Sequence, residues 1–565
     1  MRILRIGHAT LFLPLLVLAA LMLFPLAGRA QSKTGNVDER PESPEVASIV
    51  NRIIASEKQL SEKVKEYSPR VETYVQYYQP DVELGDIPTS DAYFLGRLKF
   101  GKKAEQVSFI PDAASSWLRR GLGPLGRPVR RAHLFLDEFA VGTLVVDARN
   151  FDRQHYTFNP VRWEYLGDVR CLAIDVHPRK NAGTGAFEGR IWAEDRNYAI
   201  VRLNGTRINP RRSRFYVHFD CWRENLQPGM WVPVYIYSQE SDLGKRLRYK
   251  AMTRLWGYDL TARRQQQEWT KIVVDAPAPV RDSSEVISVL SPVESKRQLE
   301  VDAEQNVLDR LEKARLIAPP GPVDKVLETV VNNLKVTNHL DNVPPIHCRV
   351  MLTSPLESFT LRYTMVLSRG LIDVLPDEAS LAMVIAHELA HIVLGHKLDT
   401  KYAFNDRLHV SDEEVLTGLD LARDPKDEAA ADAMGIGFLQ NSPYKDKLDQ
   451  AGLFLRSAVE AAPHTPYLFG AHLGNGLFQG KNVIRMAALM SASPALRPKS
   501  VDQLAALPLG SRVQVNAWDG TVTFMNQKAV PLVDASEKMP FRVSPVIPYL
   551  RLYEQTQRTN VAVQK

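Results

Sequence analysis

One helix-length window constrains this chain more than any other segment. Residues 381–395, LAMVIAHELAHIVLG, are apolar on every face of a helix but carry two histidines and a glutamate in their middle. A helix that is apolar all round is buried, and burying two imidazoles and a carboxylate without partners costs much free energy. The window therefore predicts a buried helix whose polar side chains share a ligand.

The polar residues of this window form the pattern His387-Glu388-Leu389-Ala390-His391. His387 and His391 are four residues apart and lie on one face of a helix. Two neutral imidazoles at this spacing suit Zn²⁺, and Glu388 beside them is placed as the general base of a hydrolase. The alternative, a structural helix with buried histidines, explains a lone histidine better than the complete motif. We therefore expect one zinc ion per chain here.

A catalytic zinc site needs a third protein ligand and an open fourth position. Leu394 and Lys397 stand where a metzincin requires Gly and His, so that class is excluded. The next candidates, Glu428 and Asp432, are four residues apart in an alanine-rich helical run, whose small residues permit close approach to the first helix. Asp432 is placed to accept the second N–H of a zinc-bound histidine. A solvated acidic helix start is the alternative, but it explains Asp432, one turn deeper, poorly.

These motifs resemble those of a known family. HELAH, the later E-x-x-x-D and the LSRGLID run are similar to the zinc endopeptidases that include HtpX and the CAAX prenyl endopeptidase. The resemblance implies that His387, His391 and Glu428 bind zinc, that Glu388 activates water, and that Asp432 is the family's second acidic residue.

The resemblance spans about residues 300–495 and has one departure. Residues 364–371 resemble the strand and turn that precede the family's site, where an edge strand can pair with an extended substrate. The family's Asn-Ala-Phe-type run is replaced by SPLESF at 354–359, so the substrate groove is expected to differ in detail.

The family also has a later His-Pro or arginine element near its site, and this chain offers His464, His472 and Arg485. Each is a candidate to stabilise the oxyanion of a tetrahedral intermediate, and an ordinary polar loop residue is the alternative for each. We interpret His396, which follows the helix, as structural, because a partial positive charge suits a helix C-terminus.

The rest of the chain predicts an α+β protein of several domains. A linker and helical segment at 31–91 precedes an antiparallel β-rich domain at 92–292, predicted from short alternating runs broken by turn residues. A mainly helical zincin-type metallopeptidase domain follows at 293–495, and a small β-containing segment at 496–565 carries a hairpin signal, Asp519-Gly520. Within these limits, residues 44–78 are helix-like and residues 346–373 are strand-like.

One run in the β-rich domain, GRIWAEDRNYAIVRLNG, is similar to the curved sheets of lipoprotein carriers of the LolA type. That resemblance implies a domain that binds an apolar ligand or peptide and presents it to the protease.

The first thirty residues are typical of a signal peptide. Arg2 and Arg5 precede an apolar stretch at 11–26, and small residues precede Gln31. We expect cleavage before Gln31 and a periplasmic or secreted protein; an uncleaved, membrane-associated segment is the alternative. No later window has the ~20 apolar residues of a membrane span, which disfavours membrane-embedded processing of prenylated proteins.

Composition excludes further classes. Lys+Arg 71 against Asp+Glu 65 gives a net charge of +6, too weak and too scattered for a nucleic-acid binder. Three cysteines exclude a small disulfide framework. Cys171 and Cys221 lie on strand-like runs and could form a disulfide after export, with two buried thiols as the alternative.

Two functions from different classes follow. The first is a zinc endopeptidase of the cell envelope that acts on polypeptides such as misfolded envelope proteins; the second is an envelope binding or chaperone-like protein with a structural zinc site. The intact Glu388 favours the first, because a structural site needs no general base. Segment 398–425, with a capping-box run at 411–414, is a candidate lid that keeps the enzyme latent.

Overall fold

The computed structural model describes most of the chain between residues 43 and 554. The described ranges are 43–81, 85–100, 104–110, 144–147, 150–183, 185–208, 218–242, 247–258, 292–397, 416, 418–419, 421–479, 482–483, 485–510, 512–525 and 541–554. The predicted signal peptide lies outside them, as does most of the predicted lid. No helix in these ranges is long and apolar enough to cross a membrane.

In the described residues, the N-terminal half forms one antiparallel sheet of ten strands, in the order β3-β2-β1-β10-β9-β8-β7-β6-β5-β4. Its strands are β1 (Arg70–Asp81), β2 (Gly85–Phe100), β3 (Ala104–Ser108), β4 (Tyr156–Leu166), β5 (Val169–Pro178), β6 (Ala186–Glu194), β7 (Ile200–Ile208), β8 (Phe219–Gln227), β9 (Met230–Asp242) and β10 (Leu247–Trp256). The predicted β-rich half and the α+β class are confirmed. The limits of the domains remain predictions.

The prediction of helix over residues 44–78 is wrong in its last part, because the helix before the sheet is shorter than its pattern indicated. Helix α1 (Pro44–Lys63) is followed by a 3-10 turn, and β1 begins at Arg70. Pro69 disfavours helical backbone before it, and the run from Arg70 alternates β-branched and aromatic residues, which suit a pleated, half-buried surface.

Helix α1 packs on the sheet through its apolar side and one buried charge. Val50, Ile53, Ile54 and Leu60 are buried. Between them Glu57 forms a two-pronged ion pair with the fully buried Arg223 of β8, with oxygen–nitrogen distances of 2.6 and 2.8 Å.

The second half begins with two helices and a small mixed sheet. Its elements up to the site are α2 (Pro292–Lys313), α3 (Pro322–Thr337), β11 (His347–Met351), β12 (Glu357–Leu361), β13 (Thr364–Ser368), α4 (Arg369–Val374), α5 (Glu378–Leu394) and α6 (Pro425–Gln440). The strand prediction for 346–373 is wrong at its end, because Ser368 caps helix α4 by accepting the N–H of Leu371.

The remaining elements complete the small sheet and the C-terminal part. They are α7 (Leu448–Ala461), α8 (Pro466–Phe469), β14 (Asn475–Gly476), β15 (Phe478–Gln479), β16 (Asn482–Val483), α9 (Leu489–Ala492), β17 (Val513–Val515) and β18 (Val522–Phe524). The small sheet has the order β11-β13-β12-β14. The predicted hairpin is confirmed: β17 pairs with β18, and Gly520 closes their loop with a φ of 78°.

Helices α5 and α6 lie close together because the residues between them are small. Asp377 caps the start of α5, and Gly395 ends it in the left-handed conformation. On α6, a Cβ added to Gly435 would lie 3.1 Å from the carbonyl oxygen of Ala386. This contact brings the acidic face of α6 to the two histidines of α5.

The cysteines do not form the bridge that the sequence allowed. All three are buried free thiols. Cys171 lies on β5 and Cys221 on β8, with β6 and β7 between them, so they are about 14 Å apart at ordinary strand spacing, which is too far for a disulfide.

Carboxylates on the large sheet hold the loops of the second half in place. Glu72 of β1 accepts hydrogen bonds from the Ser354 backbone and hydroxyl, from Arg369 and from Tyr93, and all four partners lie in the interior. Asp91 of β2 accepts the backbone N–H groups of Tyr467 and Leu468. The large sheet thereby fixes the loop before β12 and the segment before β14.

We expect Glu72→Ala to lower the free energy of unfolding by about 3–5 kcal/mol, because it leaves the buried guanidinium of Arg369 with only part of its partners. Urea unfolding of the two proteins measures the difference. Glu62→Ala is the control: Glu62 is exposed and, among the described residues, pairs with exposed Lys65, so a change within about 0.5 kcal/mol is expected. Equal effects of the two substitutions would contradict a bridging role for Glu72.

Candidate metal centre

Three side chains predicted as ligands converge on one point between α5 and α6. The Nε2 atoms of His387 and His391 are 3.0 Å apart, and each lies 3.3 Å from a carboxylate oxygen of Glu428. Ligands bound at 2.0–2.1 Å to a tetrahedral ion are separated by about 3.3 Å. The three residues are buried and could hold a metal ion.

The hydrogen bond between His387 and Asp432 shows why a metal cation fits between the ligand atoms better than a proton does. Its Nδ1 lies 2.8 Å from Oδ1 of Asp432, and a carboxylate can only accept there, so Nδ1 carries the hydrogen. In the neutral ring, Nε2 then presents a lone pair to Glu428 and to His391. A divalent cation satisfies all three facing lone pairs at once.

The protonation of His387 reflects the same surroundings. Burial lowers the pKa of His387 and so does the charge of Arg485, but the hydrogen bonds to Asp432 and Glu428 outweigh both and raise it. For His391, burial is the main influence and lowers the pKa. Burial thus opposes a second proton on either imidazole, and the nearby carboxylates favour positive charge on both.

A hydrogen bond to His396, which the sequence did not indicate, holds the ring of His391. Its Nδ1 shares a hydrogen bond of 2.9 Å with Nδ1 of His396, and Nε2 of His396 lies 3.5 Å from Asp427. His396, interpreted above as structural at the helix end, therefore also orients one candidate ligand.

Glu388 is fully buried and every oxygen of its carboxylate is engaged. The hydroxyls of Ser358 and Thr360 donate to it over 2.7 and 2.6 Å, and Nη1 of Arg485 donates over 3.1 Å. Burial by itself raises the pKa of Glu388, but Arg485 and the two histidines outweigh it and hold the pKa at about 2. Glu388 is thus a buried anion with at least one hydrogen bond to each of its oxygens.

Arg485 joins the base to the candidate ligand. Its Nε donates to Glu428 over 2.9 Å, while its Nη1 also reaches the Ser358 hydroxyl at 2.8 Å. Asn475 donates a further hydrogen bond of 3.1 Å to Glu428. Burial raises the pKa of Glu428, but Arg485 and the two histidines hold it well below its usual range.

The three oxyanion candidates differ in their positions. Arg485 lies at the centre of the site. His472 stacks on Tyr93 with ring centroids 4.9 Å apart and faces the large sheet, while His464 is exposed after α7. The structure does not bring these two histidines to the metal group.

Four residues at the site were missed in the sequence: Ser358, Thr360, Arg423 and Asn475. Ser358 and Thr360 had a weak signal, because alternate residues of a strand share a face. Arg423 donates to the carbonyl oxygen of Thr360, and its N–H to the side chain of Asn475. No local pattern marks these two, since only the fold brings them together.

A helix that carries HExxH, together with the group His387, His391 and Glu428 that could hold a metal ion, is the arrangement of a zinc metallopeptidase. Residues 323–405 match the sequence profile of Peptidase family M48. This part of the chain, which carries the two histidines and Glu388, is therefore similar to the M48 metallopeptidases.

Other comparisons add less. A crystal structure of a DUF1329 family protein from Desulfovibrio piger is 13% identical, with 37% of this chain and 90% of that chain covered and a TM-score of 0.22. A likeness at that level carries no argument, so the LolA-type resemblance remains a prediction. No curated protein matches the chain.

We expect Asp432→Asn to lower the affinity for zinc by about 10- to 100-fold, because the neutral amide has one acceptor oxygen where the carboxylate has two, one for Nδ1–H of His387 and one for the N–H of Met486. Competition with a chromogenic zinc chelator measures the affinity. Asp446→Asn, at an exposed carboxylate, is the matched control and should bind zinc as the parent does. An unchanged affinity in Asp432→Asn would show that Asp432 does not support a metal ligand.

Proposed function

We propose that the protein is a zinc-dependent endopeptidase in which His387, His391 and Glu428 hold one zinc ion. The observation that carries this proposal is the close approach of three buried side chains. The two Nε2 atoms lie 3.0 Å apart, each is 3.3 Å from a different carboxylate oxygen of Glu428, and Glu388 follows His387 on the same helix. The match to Peptidase family M48 supports the same reaction class.

In the proposed mechanism, Glu388 is the general base. When bound, zinc supplies the Lewis acidity that activates water near neutral pH and polarises a carbonyl group. Glu388 accepts the proton of the attacking water on a carboxylate oxygen and returns it to the leaving amine. Asp432 and His396 keep the two imidazoles oriented, and the guanidinium of Arg485 is close enough to stabilise negative charge on the former carbonyl oxygen.

The substrates we propose are polypeptides, including misfolded proteins of the cell envelope. The signal-like first thirty residues support export to the periplasm or out of the cell. Strand β12 supports binding of an extended chain, because its Ser358 and Thr360 hydroxyls place it directly against Glu388. Main-chain pairing to such a strand accepts many sequences.

We expect Glu388→Gln to lower the rate of casein cleavage by at least about 100-fold while zinc remains bound, because the amide cannot accept the proton. Unfolded casein and a measurement of bound zinc by atomic absorption test both parts. Removal of zinc with a chelator should abolish cleavage in the parent, and added zinc should restore it.

Glu378→Gln is the matched control, since Glu378 lies in the first turn of the same helix and contacts only Tyr444 among the described residues. It should cleave casein like the parent. If no zinc is bound, the ligand assignment is wrong. If zinc is bound and cleavage is the same with and without the Glu388 carboxylate, the general-base assignment is wrong.

A further inference from the structure

A short segment of the chain occupies the free side of β12. Strand β14 pairs antiparallel with β12 through two residue pairs, Gly476 with Glu357 and Asn475 with Ser358. Without β14, β12 would be the outer strand of the small sheet, with main-chain groups free to pair with another extended chain. We name residues 472–477, which include β14, the strap.

The strap is anchored by a carboxylate of the strand that it covers. Oε2 of Glu357 accepts the backbone N–H groups of His472, Leu473 and Gly474 at 2.9, 2.9 and 3.0 Å. Hydrogen bonds to an ionised acceptor are stronger than neutral ones. Three of them, at consecutive residues, fix the direction in which the strap enters β14.

A glycine allows the strap to lie flat against β12. A Cβ added to Gly474 would lie 2.4 Å from Cδ1 of Phe359 and 3.0 Å from the carbonyl oxygen of Ser358. Phe359 is fully buried and has little room to turn away. Any side chain at 474 therefore pushes the strap away from the strand.

The strap also reaches the proposed ligands. The side chain of Asn475 donates to Glu428, and Arg485, eleven residues after Gly474, contacts both Glu428 and Glu388. His387, Glu388 and His391 are at most 1% exposed. A scissile carbonyl cannot meet Glu388 while these groups are covered.

We propose that the strap keeps the peptidase in a self-inhibited state by filling the edge of β12 along which the substrate backbone pairs, and that cleavage requires its displacement. This inference rests on the endopeptidase function proposed above. In this proposal the edge of β12 is covered by the strap, which belongs to the same chain. The strap is distinct from segment 398–425, which the sequence predicted as a lid.

The test compares two identical changes at different glycines. Gly474→Ala forces the strap from β12, whereas Gly437→Ala, on α6, adds a Cβ with nothing within 4 Å. If the open form is a minor state of a few per cent, Gly474→Ala should raise casein cleavage at least about tenfold. Gly437→Ala should leave the rate unchanged, and Glu388→Gln combined with Gly474→Ala should remove the added cleavage.

Hydrogen exchange of the amides at 472–474 reports the strap independently of activity. It should be faster in Gly474→Ala than in the parent and unchanged in Gly437→Ala. Glu357→Gln serves as a second variant if Gly474→Ala fails to fold: it keeps the shape of the anchor, removes its charge, and should raise both exchange and cleavage by a smaller factor.

The outcomes separate this inference from the proposed function. Faster exchange with faster, Glu388-dependent cleavage supports both. Faster exchange with cleavage equal to that of an active parent overturns self-inhibition and leaves the peptidase assignment standing. Faster exchange with no cleavage by any of the proteins overturns both, and the binding-protein alternative then takes their place.

Discussion

The convergence of three buried lone pairs is the constraint on which the rest of this structure depends. His387, His391 and Glu428 are buried and face one another within hydrogen-bond distance. Such an arrangement is unfavourable unless positive charge neutralises it. Arg485 supplies part of that charge, and the remaining geometry is that of a metal centre.

Much of the surrounding architecture serves to hold these groups still. Gly435 and the alanines of α6 let two helices approach until a short carboxylate side chain spans the gap. Glu72 and Asp91 of the large sheet fix the loops that carry β12 and the strap. The ten-stranded sheet therefore acts as a support for the catalytic half, whatever else it binds on its own surface.

The same rigidity explains the closed state of the site. The carboxylate of Glu388 is fully buried and accepts hydrogen bonds from two hydroxyls and an arginine. Access of a substrate to it requires movement of Arg485 or of the chain that leads to Arg485. In the proposed mechanism, the metal ligands are already in place and the strap covers them. A substrate strand that displaces the strap from β12 would also expose Glu388.

Local patterns in the amino-acid chain were enough for the helix with its two histidines and base, for the acidic helix that faces it, for the β-rich half and for the C-terminal hairpin. Each depends on periodicity or turn residues within a few positions, and that information survives without the fold. Ser358, Thr360 and Asn475 are different. Ser358 and Thr360 lie 30 and 28 residues from Glu388 along the chain, and the strap that carries Asn475 meets β12 across a separation of 117 residues. Pairing at such separations depends on how whole helices and strands pack against one another. Only the tertiary structure therefore decided that the strap covers the free edge of β12.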